Sequence, residues 1–334
     1  MRFEFLSSDS ECGRFLDLWT KLAAGTDQAD PFCCGPVWQL SFHEAFSPEC
    51  RLFAATSPDN LIVFAERTFS PEEVFLAPVE ASWFFGCPLL GQETVAMLAE
   101  AMVFFAEAYG PFFPEIVISG IRPQELFARR LLQQFSNEFD IFLHSSGVQC
   151  AASLHGGLDG FLSRRSANHR SKLSKAAGRA AREGISFERA APATHAEAHQ
   201  MYQRMLAVEE TSWKGVGACG MTESPSREFY DVMLRRLSDT EDARIIFARH
   251  GDRDIGFIFG GMAGNVYRGQ QFSYNEAWKN WSVGNLMQVE KIRWLCEQGV
   301  TRYDMGPIDD PRMEYKQHWT EENMEIQTWI LVKR

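Results

Sequence analysis

From Ile255 to Trp319 the chain spells one supersecondary unit, and that unit limits what the rest can be. Two β-branched and aromatic runs, Ile255-Gly-Phe-Ile-Phe-Gly-Gly-Met262 and Val266-Tyr-Arg-Gly-Gln-Gln-Phe-Ser-Tyr274, flank Ala263-Gly-Asn265 and read as an antiparallel hairpin. Trp281-Ser-Val-Gly-Asn285 then runs into a helix over 286–298, which Gly299 stops. A short strand over 301–305, the tight Gly306-Pro307 and a last turn with Tyr315-Lys316 and Trp319 follow. A hairpin feeding a short Ser/Gly loop at a helix start makes a phosphate site available. The first N–H groups point outward there, and the helix dipole favours an anion. The pattern points to a transferase with a phosphate-bearing donor, held by Asn280, Ser282, Val283, Gly284 and Asn285. A glycine after an N-cap serine also starts ordinary helices, so a plain cap is the alternative.

The remaining chain alternates strand and helix patterns. The first half reads as a strand over 2–6, helices over 8–24 and 37–46, and a hairpin of 51–56 with 61–68. β-like pieces at 74–76 and 82–85 follow, then a helix over 93–109, a strand over 115–119, a helix over 123–135, and strands over 140–143 and 148–153. The second half repeats that order: a helical region over 158–184, a strand over 185–189, helices over 194–213 and 226–237, the unit above, and a strand over 324–332 closing the sheet. The expectation is an α/β chain (α+β, mixed sheet) with domains at 1–150 and 151–334.

At 334 residues and 45% hydrophobic, with 27 Phe and 9 Trp, the chain has material for two packed cores. A net charge of -11 excludes a general polyanion binder, so any nucleic-acid contact rests on a local patch. Eight cysteines without a CxxC pair suggest a reduced, cytoplasmic protein. No secretory signal or membrane span is expected, and no His/Cys spacing suits zinc, so no metal is expected.

Two further stretches carry chemistry. Arg165, His169, Lys172, Lys175, Arg179 and Arg182 fall at steps of three and four on one helix stripe. An anionic partner at Lys172 and Arg179 would relieve their repulsion; a solvated face with acidic neighbours is the alternative. In Glu209-Glu-Thr-Ser-Trp-Lys-Gly215, Glu210 can act as general base or acceptor anchor, Trp213 as an aromatic wall and Lys214 as an anion contact. A frayed helix end with Trp213 in the core is the other reading. Physically, Lys316 could stabilise an oxyanion and Tyr315 could return a proton to a leaving group, with Asp304 beside them and Tyr274 on the substrate side. A structural tyrosine and a snorkelling lysine are again the alternative.

Residues 161–320 resemble the Gcn5-related N-acetyltransferase (GNAT) superfamily, in its CelD-like or acetyltransferase-6 branch, related to the Fem peptidyltransferases. The pieces are Glu210-Thr-Ser-Trp-Lys-Gly215, Phe229-Tyr230, Ser273-Tyr-Asn275, Trp281-Ser-Val-Gly-Asn285, Tyr303-Asp-Met-Gly306 and Tyr315-Lys-Gln-His-Trp319. Asp30-Pro-Phe32 and Pro36-Val-Trp38 resemble the branch's N-terminal pattern. The resemblance implies two tandem GNAT-like domains, the first degenerate, and acyl transfer to an amine or hydroxyl acceptor bound between them, an amine before a hydroxyl. Acetyl-CoA or another acyl-CoA is the first donor it implies. The Fem relation implies aminoacyl-tRNA as the other, reached through the basic helix 163–182, and puts Lys316 where Fem-type enzymes keep a lysine. The loop departs from the Arg/Gln-x-x-Gly-x-Gly/Ala pattern of typical acetyl-CoA binders, keeping only Gly284. A non-catalytic binding module of a biosynthetic cluster is the reading of another class. The acceptor is a small molecule, peptide or glycan.

Overall fold

In the computed structural model, which describes residues 1–28, 30–217, 220–308 and 311–334, one strand order is built twice. The chain divides into two units, Met1–Gln149 with Met324–Arg334, and Cys150–Asn323. In the second unit Ile185–Ala190 (β1), Ala243–His250 (β2), Arg253–Ala263 (β3) and Val266–Tyr274 (β4) pair antiparallel in succession. Arg302–Pro307 (β5) then adds parallel to β4. A parallel partner needs a crossover, and the helix between β4 and β5 supplies it.

The helices Ala167–Glu183 (α1) and Val283–Glu297 (α4) cover one face of this sheet, where Ala176, Ala180, Val283, Leu286 and Met287 pack on Ile246, Ala248 and Ile258. His195–Glu209 (α2) and Ser226–Ser238 (α3) cover the other, with Arg204 over the Phe247 ring and Tyr230 against Phe259. Neighbouring strand residues thus serve opposite faces, as the pleat requires. A sheet covered on both faces carries continuous apolar runs.

The first unit repeats the scheme. Arg2–Leu6, Leu52–Ser57, Asn60–Ser70 and Glu73–Ala77 pair antiparallel in succession, and Glu115–Ile121 adds parallel to the last. The helix Thr94–Tyr109 makes the crossover, as α4 does. Phenylalanines fill its core, with Phe53 and Phe105 at 4.7 Å between ring centroids. The mixed α/β class expected from the sequence is what the chain adopts, with the same strand order in both units.

Several local expectations change. Ser82–Phe85 is a loop, because the buried Glu80 carboxylate takes its backbone N–H groups, from Ser82 at 2.8 Å to Phe85 at 3.2 Å. Strand pieces 140–143 and 148–153 are one strand, Phe139–Ser153. The helical region 158–184 breaks before Ser166, whose hydroxyl accepts from His169 N and caps α1. Strand β2 was not foreseen. The last strand, expected to close the second sheet, pairs in the first unit instead, Trp329↔Ile118 and Leu331↔Ile116.

Candidate active site

Strands β4 and β5 pair only as far as Arg268↔Asp304 and then part. Two sequence features enforce this. Gly306-Pro307 ends β5 with a residue that has no N–H to donate. In β4, Phe259 faces Gln271 while Gly260 faces Gly269, so Gln270 is an extra, bulged residue. The bulge also reverses which side chains face which helix layer. Before it Tyr267 packs on Tyr303 at 5.1 Å, on the α4 side. After it Phe272 and Tyr274 lie against Gly284 at the start of α4, while Gln271 turns to α3 and donates from Nε2 to Tyr230 Oη at 2.6 Å.

The parting is lined by charged groups. Arg268, 5% exposed, donates to its neighbour's carbonyl at Gly269 and stands 3.8 Å from Asp304 Oδ1. Asp304 Oδ1 also accepts Gly306 N at 2.8 Å, so this carboxylate holds the turn. Gly306 has φ +73, and a Cβ there would lie 2.5 Å from Arg268 Nη2. Lys316 is buried and donates to Pro307 O at 2.6 Å. Tyr315 sets its ring against Phe272 at 5.5 Å, and burial pushes its phenol pKa up, so it stays protonated. Lys214 donates to Gln271 Oε1 at 2.6 Å and to Phe272 O at 3.1 Å. Two ammonium groups therefore meet the backbone on the two sides of the opening.

Lys214 and Tyr315 thus contact the end of β4, Asp304 and Lys316 hold the end of β5, and Tyr274 lies at the start of α4. Glu210 is exposed, whereas its neighbour Glu209 is fully buried. Trp213 is 43% exposed and is no core residue. Arg268 and Glu209 were passed over in the sequence. The Arg-Gly pair in β4 was the signal for the first; adjacent glutamates left the second ambiguous.

At the start of α4 the expected serine cap is not made. Ser282 takes a left-handed backbone, φ 58, and its side chain caps nothing. Asn280 and Asn285 are exposed, and Val283 is a core residue offering the loop only its backbone. Gly284 admits close packing, since a Cβ would stand 3.3 Å from the Tyr274 ring. Ala176 and Ala180 of α1 share a core with Val283 and Leu286, which brings the cationic face of α1 alongside this helix start.

That face is shorter than the sequence stripe. Arg165 is buried, lies over the Phe161 ring and pairs with Glu321. His169 packs against Trp319 at 5.0 Å, and burial, then His318 and the cations Arg165 and Lys172, lowers its pKa. Lys172, Lys175, Arg179 and Arg182 remain exposed, and among the described residues none has an ion-pair partner. Among the described residues no carboxylate stands within ion-pair distance of these four. Among the described residues no cluster of three His, Cys, Asp or Glu could hold a metal ion, and no helix is long and apolar enough to cross a membrane.

Comparison with known proteins follows this geometry. Residues 167–317 match the family model described as an acetyltransferase (GNAT) domain. A conserved protein of unknown function from Bacteroides thetaiotaomicron superposes with TM-score 0.69 at 10% identity, over 99% of this chain and 100% of that one. FemX superposes with TM-score 0.66 at 12% identity, over 98% of this chain and 97% of that one. The C-terminal domain assigned to a lysylphosphatidylglycerol synthetase from Agrobacterium fabrum gives 0.58 at 11% identity, over 95% and 92%. At these identities the likeness is one of fold. Searched against curated proteins, the sequence finds no match.

Proposed function

Starting from a chain whose residues 167–317 match the model of a GNAT acetyltransferase domain and whose fold is similar to that of FemX, we propose that it moves an acyl group, acetyl first, from acyl-CoA to an amine acceptor. The observation that carries this reading is the bulged β4 parting from β5 beside the uncapped start of α4. Strand edges in the opening can align an acyl-bearing arm, and open N–H groups with nearby cations suit its phosphates. The lone pair of the neutral amine forms the C–N bond, the thioester C–S bond breaks, and the proton lost by the nitrogen balances the one that the leaving thiolate takes up. Lys316 is the proposed stabiliser of the oxyanion, and the protonated Tyr315 the donor toward the leaving group.

The test is thiol release from acetyl-CoA in the presence of amine acceptors. Lys316→Ala should lose roughly a hundredfold or more in kcat with unchanged circular dichroism, the scale of one oxyanion contact. Full activity in that variant would remove Lys316 from the chemistry. Wild-type protein that binds donor and acceptor yet never turns over would be the non-catalytic module.

A second reading, aminoacyl-tRNA as donor, is favoured by the four exposed cations of α1, which form no ion pair among the described residues. Lys172→Glu with Arg179→Glu should then weaken RNA binding and lower its salt dependence by about 0.7 in logarithmic slope per lost phosphate contact. Unchanged RNA binding would exclude that donor route.

A further inference from the structure

The first unit repeats the strand order of the second but not its opening. Its parallel pair, Glu73–Ala77 with Glu115–Ile121, ends at Leu76↔Ile116. Ala77 still faces Ala65 of the strand Asn60–Ser70. The next register partner on that side is Leu89, opposite Ile62, because Leu52–Ser57 holds the other side. Pro88 O accepts Val63 N at 3.1 Å and brings the chain back to the strand line. Residues 78–88 are thus an excursion from one line of pairing. In the second unit β4 leaves β5 at the same step, with Gln270 as a single extra residue.

The excursion runs against the far half of the parallel strand. Ser119, fully buried there, donates from Oγ to Gly86 O. Gly120 has φ +65, and a Cβ on it would lie 2.8 Å from Cys87 N. Gly86 is enclosed from behind as well, since its Cβ would stand 2.2 Å from Cys33 O and 2.6 Å from Gln39 Nε2. Glycine is what lets backbones approach this closely. Cys87 N donates to Cys34 Sγ at 3.2 Å. The near end is pinned by Glu80, 0% exposed, whose carboxylate takes the N–H groups of Ser82, Trp83, Phe84 and Phe85. Bonds to a charged acceptor are the strong ones, so the loop is held rather than poised to swing. The crossover helix Thr94–Tyr109 has Glu93 at its N-cap, so an acid of the chain itself stands where the helix dipole favours an anion.

We propose that residues 78–88 are a built-in occupant of a donor-type cleft in the first unit, lying where an acyl-bearing arm would lie, so that each chain loads one donor, in the second unit. The donor count rests on the acyl-transfer reading; the filled cleft rests on the first unit's own contacts. A ligand in an open cleft supplies partners for a strand edge and an anion for a helix start. Here Gly86 and Glu93 supply both. Entry of a second donor would strip the Ser119 hydroxyl and the N–H groups of 82–85 of their partners, and buried groups left unpaired oppose that exchange.

The experiment is amide hydrogen exchange of the full chain, read by mass spectrometry with and without saturating acetyl-CoA, with the binding stoichiometry taken in parallel by equilibrium dialysis. Wild type, Glu80→Gln and Ser119→Ala are compared. In wild type the amides of 82–87 should exchange about a hundredfold or more slower than in an unstructured peptide, with or without ligand. Acetyl-CoA should slow exchange only in the second unit, around 269–274 and 283–286, and dialysis should give one equivalent per chain. Glu80→Gln should speed exchange at 82–85 by about tenfold or more. Ser119→Ala, which removes a single donor and is the milder change, should speed it around Cys87 while β1 to β5 stay as they were. Unprotected amides at 82–87 in wild type, ligand-induced slowing there, a second equivalent of donor, or no change at 82–87 in either variant would each overturn the proposal. Failure to bind acetyl-CoA at all overturns the reading beneath it; slow exchange at 82–87 would then still uphold the filled cleft, and fast exchange would sink it.

Discussion

Gly306→Ala tests whether the turn after β5 exists to admit the Arg268 guanidinium. Gly306 and Gly299 share a left-handed backbone, φ +73 and +76, but only at Gly306 would a Cβ meet anything, Arg268 Nη2 at 2.5 Å. The backbone strain of alanine is therefore common to both sites, at about 1 kcal/mol. A guanidinium at the surface would swing aside at little cost. Arg268 is 5% exposed, donates to Gly269 O and faces Asp304 across 3.8 Å. Removing one partner of a buried pair costs about 3–5 kcal/mol, and displacing it about half of that. Gly306→Ala should thus lose about 3 kcal/mol where Gly299→Ala loses about 1. Urea unfolding followed by tryptophan fluorescence compares the two midpoints, which suits a chain of two units better than a single fitted free energy. Equal midpoints would refute the packing role, and Arg268 would then be dispensable to the shape of the opening.

Other perturbations follow from the same geometry. Lys291 is fully buried with one hydrogen bond, to Arg244 O, and burial, then the nearby Arg244, holds its pKa well below the usual lysine range. Its unfolded form binds the proton more tightly, so stability should rise with pH toward the usual lysine range, by at most about 1.4 kcal/mol per pH unit. Lys291→Met should flatten that rise, and an unaltered slope in thermal melts would show the group is not responsible. Gly86→Ala would set a Cβ 2.2 Å from the Cys33 backbone oxygen, which cannot swing away, so we expect poor folding or a loss of about 3 kcal/mol or more. Melting near the wild-type temperature would contradict it. Trp213→Ala, at a residue 43% exposed, should shift stability by no more than about 1 kcal/mol while raising the acceptor KM; a large drop in melting temperature would make it a structural residue.

How far the sequence was legible depended on whether a signal was local. The hairpin of β3 and β4, the Gly299 stop and the strand ahead of Gly306-Pro307 were all marked by turn residues beside apolar runs, and they formed where expected. Strand β2 was missed although Ile245-Ile-Phe-Ala248 is an apolar run between turn residues; its arginine and histidine flanks masked it. The bulge at Gln270 has no local marker, yet it decides which of Gln271 and Phe272 faces α3. The pairing of 327–331 with 116–121 depends on segments about two hundred residues apart, which no period can reveal. In the site, Lys316, Tyr315 and Lys214 could be named from residue type and order. That Glu209 and not Glu210 is enclosed goes with where α2 ends, Glu209 being its last residue and Glu210 its C-cap.

The central claim is that the opening between β4 and β5, with the start of α4, takes an acyl-bearing arm and its phosphates. A calorimetric titration of the full chain with acetyl-CoA and with free CoA, at low and at moderate salt, tests it directly. The account expects micromolar binding, about −8 kcal/mol, weakened by salt and by Arg179→Glu. No heat with either ligand at low salt would contradict it and leave the phosphate-bearing donor without a place in this fold.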